Sequence, residues 1–233
     1  NWWYNQIGIP KTLGTVFILF EKQLSPVEKQ NAITVMENAK FGMTGQNKVW
    51  LAGNVMMRAL LQNDYELVKM ARDTIASEIV TGGVEGIKDD WCFHQHGAQQ
   101  QFGNYGLSFV SGMSFFSGLF SGTSLAFDDK QLSILSALID KGYRWVIWKG
   151  MMDVNALGRQ LFHHAPVHKA LSLAFAASEL GGGESDECMA VATALLRDNY
   201  PAPAVNVLTG HKHFWQSDYT IHRLSLIHIS EPT

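Results

Sequence analysis

The chain has 233 residues, enough for one large domain or two small ones, and 46% of them are hydrophobic, so it can bury a sizeable core. Eighteen Lys and Arg against 21 Asp and Glu leave a net charge of −3, which removes the basic footprint of a nucleic-acid binder. Charged residues are only 17% while Gly, Trp, Phe and His number 21, 7, 13 and 9, a polar-neutral, aromatic composition suited to hydroxyl-rich ligands, and no apolar stretch approaches the ~20 residues that span a bilayer.

The chain opens on Asn1-Trp2-Trp3-Tyr4-Asn5. Adjacent indoles cannot both face one side of a helix, so at least one is expected to be exposed, either as a platform for a sugar ring or at the edge of ordinary core packing. No initiator methionine and no basic-then-apolar leader is present, so a signal peptide is expected to have been removed or to lie upstream. Apolar residues then recur at helical spacing, as in Ala52, Val55, Met56, Ala59 and Leu60. Helices are predicted near 10–22, 26–39, 46–62, 64–80, 105–120, 129–148, 166–180 and 185–198. Two starts are marked, one by Ser25-Pro26-Val27-Glu28 and one by Asn63 with Glu66. Helix pairs recurring every 40–50 residues or so predict an all-α fold, an α/α toroid of antiparallel helical hairpins rather than a four-helix bundle.

Two segments break the helical pattern, Thr81 to Asn104 and Lys149 to Ala165, both rich in Gly, His, Gln and Asn. Long loops on a helical scaffold are where function concentrates. Thr44-Gly45-Gln46-Asn47 stands at a helix mouth, where an amide and free N–H groups can meet a carboxylate or simply cap the helix. His94-Gln95-His96-Gly97 and Asn104-Tyr105-Gly106 offer an imidazole and a phenol nine residues apart, both proton-transfer groups. Metal ligation by His94 and His96, or by His164 and His168, lacks a carboxylate or cysteine at ligand spacing. Arg159 follows Gly158 in the second loop and suits either an anion or a surface ion pair. Cys92 and Cys188 are expected as two buried free thiols, with a disulfide as the alternative. From His213 to His222 the residues turn aromatic and β-branched, so a β region is expected to begin there, and 224–233 reads as a non-native tail set aside from the fold.

In order and spacing, NWW at 1–3, TGQN at 44–47, HQHG at 94–97, NYG at 104–106, NALGR at 155–159 and FWQSDYTIHR at 214–223 resemble polysaccharide lyase family 8, which contains chondroitin AC, hyaluronate and xanthan lyases. The resemblance implies an incomplete α/α toroid over 1–208, N-terminally incomplete, with a β-sandwich beginning at 209–223. It also implies cleavage of uronic-acid polysaccharides by β-elimination, without a metal ion or organic cofactor. Asn47 would bind the uronate carboxylate, His96 and Tyr105 would be the catalytic histidine and tyrosine, and Arg159 an active-site arginine. Trp2, Trp3 and Phe41 would orient the polysaccharide. His163 stands where the family often has a second arginine, and the family's glutamate would lie beyond residue 233, so residues 1–233 alone are expected to turn over poorly. A monomer acting on an acidic polysaccharide, with no nucleic acid or membrane as partner, secreted or periplasmic in a bacterium, is the implied setting. Two other readings stand beside it. An α/α-toroid glycoside hydrolase would need Asp89, Asp90 or Asp153 as its paired carboxylates, and a non-catalytic glycan binder would not need the set Asn47, His96, Tyr105 and Arg159.

Overall fold

The computed structural model describes residues 1–181, 192, 208–224 and 228–232, in two compact units, Asn1–Glu78 and Ile79–Thr233. The predicted helix over 185–198 and Cys188 lie outside the described residues, apart from Ala192.

The first unit is helical throughout. A wide π-type turn, Tyr4–Gly8, runs into α1 (Ile9–Leu19), followed by α2 (Pro26–Met36), α3 (Gly45–Gln62) and α4 (Tyr65–Ala76). α3 is the hub and packs on the other three. Its Leu51, Ala52, Val55, Met56 and Ala59 are all buried, on the stripe expected from their spacing. Leu60 departs from that stripe and is exposed. Where α1 crosses α2 and α3, Gly14 lets the helices approach, because a Cβ there would meet Met36 Cε of α2 at 2.7 Å and Met57 Cε of α3 at 3.0 Å. The buried Asn54 amide donates to two carbonyls of the wide turn, Gln6 O at 3.2 Å and Ile7 O at 3.0 Å.

The two marked helix starts differ in outcome. Ser25 and Glu28 form a full capping box on α2, with Pro26 in the first turn. Asn63 is not the cap of α4. It ends α3 in the left-handed region (φ 56°), and Asp64 takes the capping role by accepting from the Leu67 N–H at 3.0 Å. Asparagine tolerates that conformation better than most residues, so it serves the helix before it rather than the one after.

In the second unit a short antiparallel pair, β1 (Gly86–Ile87) and β2 (Phe93–His94), precedes a second π-type turn, Phe102–Gly106, that feeds α5 (Leu107–Phe120). α6 (Asp129–Ala137) follows, capped by an Asp128–Gln131 box. The helix predicted to reach 148 stops at Trp145, and β3 (Ile147–Trp148) pairs with β4 (Met151–Met152). Lys149 (φ 46°) and Gly150 (φ 71°) are both left-handed, as a two-residue hairpin turn requires. α7 (Ala165–Gly181) packs on α5, where the buried Ser114 donates to Glu179 at 2.8 Å. A sheet in the order β5 (Gly210–Phe214), β6 (Tyr219–Arg223), β7 (His228–Pro232) closes the described chain, so part of the stretch set aside as a tail is paired with β6.

Arg223 of β6 ties that sheet to the preceding segment. It is buried, donates to the carbonyls of Trp145 and Ile147, and lies over the rings of Trp145 and Trp148. Burial first, and then the charge of Arg144, push its pKa down to about 10. Tyr143 is fully buried and donates to Phe102 O at 2.9 Å, anchoring the start of the second wide turn. Tyr143→Phe leaves that carbonyl one donor short and is expected to cost about 1–2 kcal/mol of stability, read as a lower urea midpoint at unchanged m-value.

Candidate active site

The candidate site is built from the loop that follows β2. Phe93 is completely buried with its ring 5.1 Å from Phe109 of α5, and its carbonyl accepts from Gln101 N–H at 2.8 Å. Three residues on, His96 (φ 61°) and Gly97 (φ 80°) are both left-handed and reverse the chain. Such a backbone costs a histidine on the order of 1–3 kcal/mol and persists only when its surroundings impose it. Glu85 imposes it here. One carboxylate oxygen accepts the N–H of His96 at 2.6 Å and of Gly97 at 3.2 Å, while the other accepts from the Gln95 side chain. Three donors on one carboxylate form a set of charge-assisted bonds. The imidazole of His96 is thereby turned outward and meets Tyr105 edge to face, with ring centroids 4.9 Å apart at 85°.

Tyr105 lies in the wide turn Phe102–Gly106 and is 8% exposed. Wide turns of this kind occur often at functional sites, where they re-aim a side chain. Two glycines let it sit where it does. A Cβ on Gly106 would meet Tyr143 Oη at 2.5 Å, and one on Gly103 would meet Ala156 O at 2.6 Å and Leu157 Cα at 2.8 Å. The Tyr105 turn therefore rests directly on the segment leading to Arg159. Lys169 of α7 joins the two: its buried ammonium donates to Gly103 O and to Gln160 Oε1, the latter at 2.7 Å. Burial lowers the pKa of Lys169. Arg159 itself is exposed, one residue after the left-handed Gly158 (φ 69°). His96, Tyr105 and the Arg159 segment thus form one connected arrangement.

The remaining predicted residues belong to other segments of the chain. Asn47 belongs to the first unit, in the first turn of α3. It is 6% exposed, and its Oδ1 has no hydrogen-bond partner among the described residues. Thr44 makes no capping bond to α3; instead Gly45 N–H donates to Glu78 at 2.7 Å, and Lys48 pairs with the same carboxylate at 2.9 Å. Trp2 is 46% and Phe41 37% exposed, whereas Trp3 packs edge-on against Trp50 at 5.9 Å. His163 is exposed and packs against His164 at 3.7 Å. The two loop histidines have different jobs: His94 is buried with Nε2 2.9 Å from Ser217 Oγ, while His96 faces Tyr105. Cys92 is a buried free thiol. Sequence reading missed Glu85, Gly103 and Lys169, because each acts through a backbone group that no local pattern marks.

Residues 1–180 match the N terminal alpha-helical domain of a family of polysaccharide lyases. That family is polysaccharide lyase family 8, and the chain belongs to it. Chondroitinase-AC of Pedobacter heparinus is 28% identical over 230 residues, covering 95% of this chain and 32% of that protein. Xanthan lyase of Bacillus sp. (strain GL1) is 28% identical over 167 residues, 69% of this chain and 18% of that protein. A chondroitinase AC lyase structure from a study of enzyme–oligosaccharide complexes superposes with TM-score 0.82 at 26% identity, covering 99% of this chain and 35% of that one. The Streptomyces coelicolor chondroitin AC lyase in complex with chondroitin sulphate has the same fold, with TM-score 0.80 at 20% identity over 96% of this chain and 37% of that one. The chain spans about a third or less of the length of these curated relatives.

Proposed function

We propose that the protein is a polysaccharide lyase cleaving uronic-acid polymers of the chondroitin and hyaluronan type by β-elimination. The observation that carries this reading is the contact of His96 with Tyr105 at 4.9 Å, on a turn that also bears the Arg159 segment. Relatives that include a chondroitinase-AC and a hyaluronate lyase support the substrate class.

The C5 hydrogen of a uronate is weakly acidic while the neighbouring carboxylate is charged, so elimination needs groups that neutralise that carboxylate. Asn47 is assigned this task. Its amide nitrogen donates to the uronate carboxylate and draws off part of the charge. Tyr105, as phenolate, takes the C5 proton; the C4–O4 bond breaks as the C4=C5 bond forms, and the same tyrosine returns the proton to O4. Protons balance, and the product is a 4,5-unsaturated uronate. His96 orients the phenol and assists in neutralising the carboxylate. Arg159 supplies positive charge toward the acidic chain, and exposed Trp2 offers a face for a sugar ring. A secreted or periplasmic enzyme matches a polymer too large to enter a cell; among the described residues no helix is long and apolar enough to cross a membrane.

A hydrolase reading finds less support in the carboxylates. Asp90 is buried and accepts two backbone N–H groups, and Asp153 accepts Asn155 N–H in a turn at 2.8 Å. The test is to assay the intact protein against hyaluronan, chondroitin sulfates, xanthan and alginate for the ultraviolet absorbance of an unsaturated uronate; its absence on every polymer rejects the proposal. Because the proposed proton transfers need only side chains, turnover is expected to be unchanged after exhaustive chelation. Loss of turnover with EDTA, restored by zinc or calcium, would reject this route.

A further inference from the structure

We infer that the turn between β5 and β6, acting through Gln216 and Ser217, is a positioning element for the His96–Tyr105 pair; the inference rests on the lyase reading above. Asp90, Cys92 and His94 stood out in the sequence, yet the proposed chemistry uses none of them. In the structure they form a buried polar node whose other half comes from that turn. The Asp90 carboxylate, 3% exposed, accepts Cys92 N–H at 3.0 Å with one oxygen and Gln216 N–H at 2.7 Å with the other. It thus holds two segments far apart in the chain.

Ser217 completes the node. Its single hydroxyl proton is donated to Cys92 Sγ at 3.1 Å, so toward His94 the oxygen accepts, and His94 carries its hydrogen on Nε2 at 2.9 Å. Burial, reinforced by the charge of Lys88 and opposed by Asp90, lowers the His94 pKa and favours the neutral imidazole. The turn is itself firm: Ser217 N–H donates to Phe214 O at 3.0 Å, and Asp218 is left-handed at φ 46°.

The second contact of the same hairpin reaches the other member of the pair. Phe214 is completely buried with its ring 5.2 Å from Phe102 at 67°. Phe102 opens the wide turn that carries Tyr105 three residues later, and His94 precedes His96 by two. One hairpin therefore grips both chain segments just before each presents its proton-transfer group. The hairpin holds His94, Asp90, Cys92 and Phe102, the neighbours of the pair in the chain, so the effect is on placement. Displacements of about 1 Å remote from the chemistry can cost on the order of 10²-fold in rate.

The test uses Ser217→Ala, Ser217→Thr and Asp90→Asn in the intact protein. Ser217→Ala should lower kcat about tenfold with KM within about twofold. It should also speed amide exchange at His96 and Gly97, whose N–H groups are held by Glu85, below the temperature of unfolding. Ser217→Thr, which keeps the hydroxyl, should restore kcat to within about threefold of wild type, and Asp90→Asn should repeat the Ala phenotype. The inference is overturned if kcat of the folded Ala and Asn variants stays within about twofold of wild type, if KM rises in step with the loss, or if Thr does no better than Ala. If wild type forms no unsaturated product, the lyase reading fails instead. The exchange measurement then decides alone: faster exchange at His96 and Gly97 in the variants supports the inference, and unchanged exchange overturns it.

Discussion

Tyr105→Phe is expected to lower formation of unsaturated product by at least ~10²-fold while leaving polysaccharide affinity little changed. The substitution removes one oxygen and no bulk. The edge-to-face contact with His96 is made by the ring, which phenylalanine keeps, and a thermal melt of the variant separates a chemical loss from a structural one. A group that carries a proton in the transition state contributes to kcat, whereas the ring contributes equally to ground and transition states. Steady-state kinetics with hyaluronan or chondroitin sulfate, paired with a thermal melt, make the comparison. Retained turnover in a folded variant would remove Tyr105 from the mechanism.

Gly103→Ala is expected to damage both stability and turnover through a single methyl group. A flexible glycine in a helical turn is ordinarily improved by alanine, by roughly 0.5–1 kcal/mol. Here the added carbon would meet Ala156 O at 2.6 Å and Leu157 Cα at 2.8 Å. Both are backbone atoms, which cannot swing aside as a side-chain tip does, so overpacking of about 1–3 kcal/mol outweighs the propensity gain. Relief comes from parting the Tyr105 turn from the Arg159 segment, which also stretches the bonds of Lys169 to Gly103 O and Gln160. Stability should fall, and kcat should fall by about 10²-fold at temperatures where the variant is still folded. If alanine raises the melting temperature, the close approach is absent.

Sequence patterns reached the helices where burial and capping speak locally. The α3 stripe and the Ser25–Glu28 box are properties of residues three and four apart, and both are present in the structure. Asn63 went wrong by one position, because the same residue type caps a helix start and tolerates a left-handed stop. The β3–β4 hairpin was hidden because its turn places Lys149, rather than the usual Asn or Asp, in a left-handed conformation. Within the site, the interval from His96 to Tyr105 was readable because both side chains act directly on each other. Glu85 was not, since it acts through the amides of His96 and Gly97 eleven and twelve residues away. Lys169 reads as an ordinary helical lysine until its ammonium is seen among backbone and side-chain oxygens.

Elimination and hydrolysis of a uronic polymer differ in one countable ratio. In the digest of a uronic polymer by the intact protein, new reducing ends and new unsaturated uronates are counted on the same sample. Each eliminative cut makes one of each, so the account predicts equal numbers throughout the reaction. Reducing ends that accumulate without matching unsaturated uronates would show that water, and not the removal of the C5 proton, breaks the chain.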